Sequence, residues 1–169
     1  MEKNPELRHA WDFVEHTGIS IFLTGKAGTG KTTFLRTLKE KSSKRSVIVA
    51  PTGVAAINAG GMTIHSFFQL PLSPFVPEAS IKNRFDYSKE KRKIMRTLDL
   101  LIIDEISMVR ADVLDAIDSV LRRFREPDKP FGGVQLLMIG DLQQLTPVVT
   151  PEEEELLRQY YDTPYFFGS

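Results

Sequence analysis

Apolar positions along this chain switch between two spacings. Leu7, Trp11 and Val14 recur at helical intervals, so Asn4 to His16 reads as a helix with Asn4–Pro5 as its cap. Ile19 to Leu23 is instead a short unbroken apolar run bounded by Gly18 and Gly25, the pattern of a strand buried on both faces. Helical spacing returns from Lys31 to Lys41 through Phe34, Leu35 and Leu38, and Ser46 to Ala50 is a second buried strand. A short helix is predicted over Gly53 to Ala59, closed by the pair Gly60–Gly61. Prolines 71, 74 and 77 make Leu70 to Pro77 a stiff, partly apolar loop. Further on, Lys89 to Thr97 reads as a basic helix, Leu98 to Asp104 as a third strand, Asp112 to Phe124 as an amphipathic helix and Gln135 to Gly140 as a fourth strand. Glu152 to Glu155 opens a solvated acidic helix before an aromatic end.

Short apolar strands alternating with amphipathic helices predict an α/β fold, a mainly parallel sheet flanked by helices. At 169 residues the chain is expected to form one domain, residues 1–169, with its own core. Its abrupt aromatic end is read as the leading part of a longer protein.

Charge narrows the function classes. Lysine plus arginine number 22 and aspartate plus glutamate 22, so no global positive field drives nucleic-acid binding. A groove that holds a strand through local contacts and stacked bases stays open. Without cysteine there is no disulfide and no thiolate metal site. No apolar signal core starts the chain and no run reaches the roughly 20 residues that span a bilayer, so a cytoplasmic protein without membrane contact is expected.

The sharpest chemistry is the run Gly25-Lys-Ala27-Gly28-Thr29-Gly30-Lys31-Thr32, which matches G-x-x-x-x-G-K-[ST] between a strand and a helix. A phosphate chain needs backbone N–H groups aimed inward, and the glycines remove side chains that would block it. The helix start adds partial positive charge. Lys31 is placed to bridge the β and γ phosphates and the Thr32 hydroxyl to ligate magnesium, with Thr33 the spare hydroxyl beside it. ATP and Mg2+ are the expected cofactors.

The third strand delivers Asp104-Glu105 to its end, where open parallel sheets bind ligands. Asp104 suits the magnesium, and Glu105 suits the water that attacks the γ-phosphate. After the fourth strand, Gln143 and Gln144 are both candidates to sense the γ-phosphate; position alone does not choose.

Together four blocks resemble the Pif1-like helicases of superfamily 1B: FLTGKAGTGKTTF, APTGVAAINAGGMTIHSFF, LIIDEISMV and GGVQLLMIGDLQQLTPVV. The resemblance runs through nearly the whole chain. It implies RecA-like domain 1A of a 5′-to-3′ DNA helicase working in DNA repair, with Lys31, Glu105 and Gln144 catalytic and Thr32 and Asp104 on the metal. It chooses Gln144 as the sensor, because the family pattern G-D-x-x-Q-L falls there. It also sets Pro51, Thr52, Gly53, His65, Ser66 and Phe67 against single-stranded DNA. Hydroxyls of Thr52 and Ser66 suit phosphate oxygens, while His65 and Phe67 offer faces for stacking. Duplex or structured DNA is the implied substrate and a monomer the implied working form.

Residues 70–88 sit where such helicases insert a small strand-separating wedge. The basic run Lys89 to Lys93 reads as a solvated helix face rather than a DNA contact. Two features depart from the family. Leu7, Arg8 and His9 stand near the place where a glutamine reads adenine, and the motifs of a second motor domain are absent, including its arginine. Two other classes were weighed: a regulatory ATPase switching a protein partner, and a GTPase or nucleotide kinase. The second is opposed by the acidic pair, by the lack of N-K-x-D and by the lack of an arginine-rich lid.

Overall fold

A computed structural model describes residues 5–24, 31–70 and 87–140. Two compact units emerge: Met1–Thr63 with Thr97–Ile106 and Val134–Asp141, and Ile64–Arg96 with Ser107–Gly133 and Leu142–Ser169. Among the described residues, no helix is long and apolar enough to cross a membrane.

The first unit holds the sheet. Strands β1 (Ile21–Thr24), β2 (Ser46–Ala50), β3 (Met62–Thr63), β4 (Leu100–Ile103) and β5 (Gln135–Gly140) lie in the order β1-β5-β4-β2-β3. Every pairing is parallel. Helices α1 (Pro5–His16), α2 (Lys31–Lys41) and α3 (Gly53–Ala59) belong to the same unit.

Alternation along the strands sets which side chains share a face. Ile48, Leu100, Ile102, Leu137 and Ile139 form one face and pack with Ala10 and Val14 of α1 and Phe34, Leu35 and Leu38 of α2. Their intervening neighbours Val49, Leu101, Ile103 and Leu136 are buried too. Burial of both sets is why these segments are continuous apolar runs rather than alternating ones.

A polar clamp fixes the other end of the strands. Gln135, 3% exposed, donates from Nε2 to the Ile19 carbonyl at 2.9 Å and the Phe13 carbonyl at 3.3 Å. Its Oε1 accepts from Lys44 Nζ at 2.6 Å, and that ammonium also reaches the Thr17 carbonyl. The buried amide is thereby satisfied while it ties α1 and the approach to β1 onto β5. Beside it, the Arg45 N–H donates to Asp99 Oδ2 and the Arg45 carbonyl accepts from the Asp99 and Leu100 N–H groups. These long-range contacts lie where β4 starts, at Leu100 rather than at the predicted Leu98.

Between β2 and β3 the chain reverses through α3. Thr52 is its N-cap, accepting the Ala55 N–H at 3.2 Å. Its end is a Schellman motif: Gly61 N–H donates to Ala56 O at 2.9 Å and Gly60 N–H to Ile57 O at 3.1 Å. Gly60 has φ +76°, and Gly61 passes so close to β2 that a Cβ there would lie 2.2 Å from the Ile48 carbonyl oxygen.

The second unit contains α4 (Ile64–Phe68), α5 (Lys89–Thr97) and α6 (Ala111–Phe124), with 3-10 turns at Ile106–Met108, which straddles its boundary, and at Pro130–Gly133. Asp118 at mid-α6 accepts from Arg122 Nε at 2.9 Å and from the Phe131 N–H, pinning the Pro130–Gly133 turn to the helix. Arg125 donates to the Gly132, Met95 and Arg96 carbonyls, which joins the end of α6 to the end of α5. Tyr87 donates its hydroxyl to the Phe68 carbonyl and meets Phe124 edge-on, ring centroids 5.1 Å apart. Sequence periodicity gives no sign of β3 or α4, which are too short to show one.

The two glycines separate conformational from steric strain. Gly60→Ala, with open space but φ +76°, is expected to cost about 1 kcal/mol. Gly61→Ala meets immovable backbone and is expected to cost about 3 kcal/mol. Equilibrium urea unfolding of both variants checks the ranking, and equal losses would refute it.

Candidate functional site

Because the pairings are parallel, β1, β5 and β4 all end on one edge of the sheet. The register sets Thr24 beside Gly140 and Ile103 beside Met138, so β5 lies between the strand before Lys31 and the strand before Asp104. Adjacent strands are about 4.8 Å apart, which puts the β1 and β4 ends about 10 Å from one another across β5. That gap suits a metal–phosphate group held from both sides.

Lys31 opens α2 just after β1, the strand-before, helix-after context that a phosphate loop needs. Gly25, Ala27, Gly28, Thr29 and Gly30 lie outside the described residues, as do Gln143 and Gln144. Of Lys31 and Thr32 the structure gives the helical backbone position only. Thr33 is exposed, and its carbonyl accepts the Thr37 hydroxyl at 2.8 Å. On α1, Arg8 and His9 are exposed. Residues 71–86, nearly all of the expected wedge, also lie outside the described residues.

Asp104 follows directly on β4. Its N–H donates to the Val49 carbonyl at 2.9 Å, and the residue is 4% exposed. One residue on, Glu105 adopts φ +53°, a left-handed conformation that is uncommon outside glycine. The chain therefore turns sharply off the sheet at Glu105, and strain of this kind clusters at functional positions. Among the described residues no three His, Asp or Glu side chains form a metal cage. Magnesium takes one or two carboxylates together with substrate phosphates and water, so a single buried aspartate at this edge fits it.

The residues expected on single-stranded DNA fall in both units. Pro51 and Thr52 are half-buried and Gly53 is exposed. Capping α3 uses Thr52 Oγ1 as an acceptor and leaves its O–H able to donate to a phosphate oxygen. On α4, Ser66 is exposed and His65 half-buried. Burial is the main force holding the His65 pKa below the usual histidine value; Arg110 adds to it and Asp112 opposes it. Arg110 and Asp112 form an ion pair, Nε to Oδ1 3.1 Å, in which Asp112 is fully buried.

Phe67 departs from expectation. It is 3% exposed, packs edge-on to Phe68 at 4.8 Å, and carries the Lys91 ammonium 4.3 Å from its ring centroid. In this conformation it has no open face for a base. The reason is the helical spacing of Ile64, Phe67 and Phe68, which turns all three inward. Sequence reasoning missed the Lys91–Phe67 contact and the Arg110–Asp112 pair beside His65. Lys91 was visible only as one member of a charge run, although desolvation now holds its pKa below the usual lysine value.

The description "PIF1-like helicase" belongs to the family whose model matches residues 6–161. This chain belongs to that family. The ATP-dependent DNA helicase PIF1 of Candida albicans is 40% identical over 140 residues, 79% of this chain and 15% of that protein. A Bacteroides Pif1 solved with ADP-AlF3 and single-stranded DNA superposes with a TM-score of 0.91 at 49% identity, over 98% of this chain and 38% of that one. A structure of two coordinating Pif1 helicases unwinding forked double-stranded DNA gives 0.92 at 49% identity, over 98% and 40%. The present chain thus spans less than half the length of these relatives, and its sheet is that of their RecA-like fold.

The neutral state of His65 has a measurable consequence. Its folded pKa lies below the unfolded value near 6.5, so its contribution to stability is complete above pH 6.5 and is lost as pH falls through the lower folded value. His65→Gln is expected to flatten stability against pH in that acidic window. An NMR titration of His65 should give a midpoint below 6.5, and a midpoint at or above that value would overturn the assignment.

Proposed function

We propose that this chain is the first motor domain, residues 1–169, of an ATP-dependent DNA helicase that moves 5′-to-3′ along single-stranded DNA and opens duplex or structured DNA. The observation that carries this reading is the sheet edge where the strand before Lys31 and the strand before Asp104 flank β5. The nucleotide and single-stranded DNA in the similar Bacteroides structure support it, and the two copies at forked DNA in the other structure lend no support to a monomer.

In this reading Gly25, Ala27, Gly28, Thr29 and Gly30 offer backbone donors to the phosphates, and Lys31 bridges the β and γ groups. Thr33 is held in reserve beside them. Thr32 and Asp104 hold Mg2+, which supplies charge neutralisation at the phosphates. Glu105, whose backbone is left-handed just past β4, takes the proton of the attacking water. Gln144 reports whether the γ-phosphate is present. Pro51, Thr52, Gly53, His65 and Ser66 face the single strand; Phe67 serves by packing rather than by stacking.

Two predictions follow from these roles. In the full-length protein, Lys31→Ala should abolish Mg·ATP binding, whereas Glu105→Gln should keep binding and lower turnover by about 10² to 10⁴. Steady-state ATPase and nucleotide titration with and without oligo-dT measure both. Full turnover in Glu105→Gln would remove the base assignment, and turnover indifferent to oligo-dT would favour a nucleotide switch acting on a protein partner.

The second concerns the chain by itself. An arginine supplied by another domain is worth about 10³ to 10⁵ in related phosphoryl transfers. The isolated 169-residue chain should therefore bind nucleotide, hydrolyse it slowly and not unwind a fork. Brisk DNA-stimulated hydrolysis by the isolated chain would contradict this.

A further inference from the structure

Helix α5 carries five cations and one acid in nine residues: Lys89, Lys91, Arg92, Lys93 and Arg96 against Glu90. Successive residues of a helix are about 100° apart, so Lys89, Arg92, Lys93 and Arg96 fall within an arc of about 100°. All four are exposed. Glu90 lies outside that arc, and the opposite side is Met95, fully buried, with Lys91 seated on Phe67.

This differs from an ordinary solvated face, where opposite charges alternate at three- and four-residue spacing and stabilise the helix. Here the pairs 89–92, 89–93, 92–96 and 93–96 are like-charged, an arrangement that opposes helix formation, and Glu90 with Lys93 is the one opposite-charge pair at those spacings. Other contacts hold the helix in place. Lys91 over the Phe67 ring fixes its rotation, and Arg125 donates to the Met95 and Arg96 carbonyls at its end. That last contact also places a cation where the helix terminus would otherwise repel an anion.

We propose that this stripe is a track for the phosphodiester backbone of the DNA on which the motor works, with Phe67 acting as the positioning residue that turns it outward through Lys91. The proposal rests on the helicase reading above. Charge complementarity commits it to a polyanion, because the chain as a whole is neutral, 22 cations against 22 anions, while this helix is strongly positive. From residue 89 to residue 96 the helix rises about 10 Å. Along the duplex axis one strand of B-form DNA presents a phosphate about every 3.4 Å, so a stripe laid parallel to that axis spans about three of them.

The test is the salt dependence of DNA affinity in the full-length protein, measured by fluorescence anisotropy on oligo-dT and on a blunt duplex. K89Q/R92Q/K93Q/R96Q should lower the log–log salt slope by about 2 on at least one substrate, from about 0.7 per lost contact on a single strand and about 0.9 on duplex. The substrate affected tells whether the track serves the strand or the duplex. R8Q/R36Q/K41Q/R45Q removes equal charge from exposed positions of the other unit and should leave the slope nearly unchanged. Phe67→Leu, which keeps the burial but loses the ring under Lys91, should lower the slope by a smaller amount. Equal slopes for the stripe and control variants would overturn the proposal, as would a stripe variant that loses affinity for poly-glutamate but not for DNA. Wild-type protein that binds no DNA at all would instead overturn the helicase reading itself.

Discussion

Parallel strands cannot be joined by a tight turn; each needs a crossover, and so each strand of such a sheet ends on the same edge. In this chain that constraint does most of the work of building the candidate site. The helix after β1, the acid after β4 and the segment after β5 are far apart in sequence, yet the pairings bring the ends of their strands to one line. Burial on both faces of β4 and β5 locks the register, because a one-residue slip would exchange every side chain between two apolar faces of different shape. The Gln135–Lys44 clamp then secures the opposite edge, so that stiffness at one end serves geometry at the other.

How much of this could be read from the residues depends on the length of each element. Lys31–Lys41, Ser46–Ala50, Lys89–Thr97 and Gln135–Gly140 occupy the spans read from the sequence, because each is long enough for its helical spacing, apolar run or basic run to appear. Two-residue β3 and five-residue α4 have no period to read and exist through their neighbours: β3 by pairing with β2, α4 by the inward turn of Ile64, Phe67 and Phe68. Strand order was likewise not legible. Spacing says that strands alternate with helices, but not that β5 inserts between β1 and β4. For the site, the positions of Lys31 and Asp104 at element boundaries were legible because glycines and acids punctuate the apolar runs. The burial of Phe67 was not legible, because an aromatic looks the same in sequence whether its ring is open or covered.

The covered ring changes the picture of the second unit. A buried ring under an ammonium makes α4 and α5 one electrostatic assembly, and the ion pair of Arg110 with the fully buried Asp112 sits beside His65 in the same unit. A buried pair of this kind contributes little net stability once desolvation is counted, although breaking it is costly. Burial chiefly biases His65 toward the neutral form, which can both donate and accept a hydrogen bond, while Arg110 of the pair adds to that bias and Asp112 opposes it. A polar surface arranged from fixed partners suits contacts with sugars and phosphates, which set position along a strand without reading its sequence.

Glu105 shows the same logic at the sheet edge. A left-handed backbone at a non-glycine residue costs about 1 kcal/mol or more, a noticeable part of a total stability of about 5 to 15 kcal/mol. Glycine or asparagine would relieve that backbone strain. β4 ends at Ile103, the buried Asp104 still donates its N–H to the Val49 carbonyl, and the left-handed residue follows at once. In the role proposed for Glu105, the direction of the carboxylate would matter more than its contribution to stability, as a base acting on one water molecule requires.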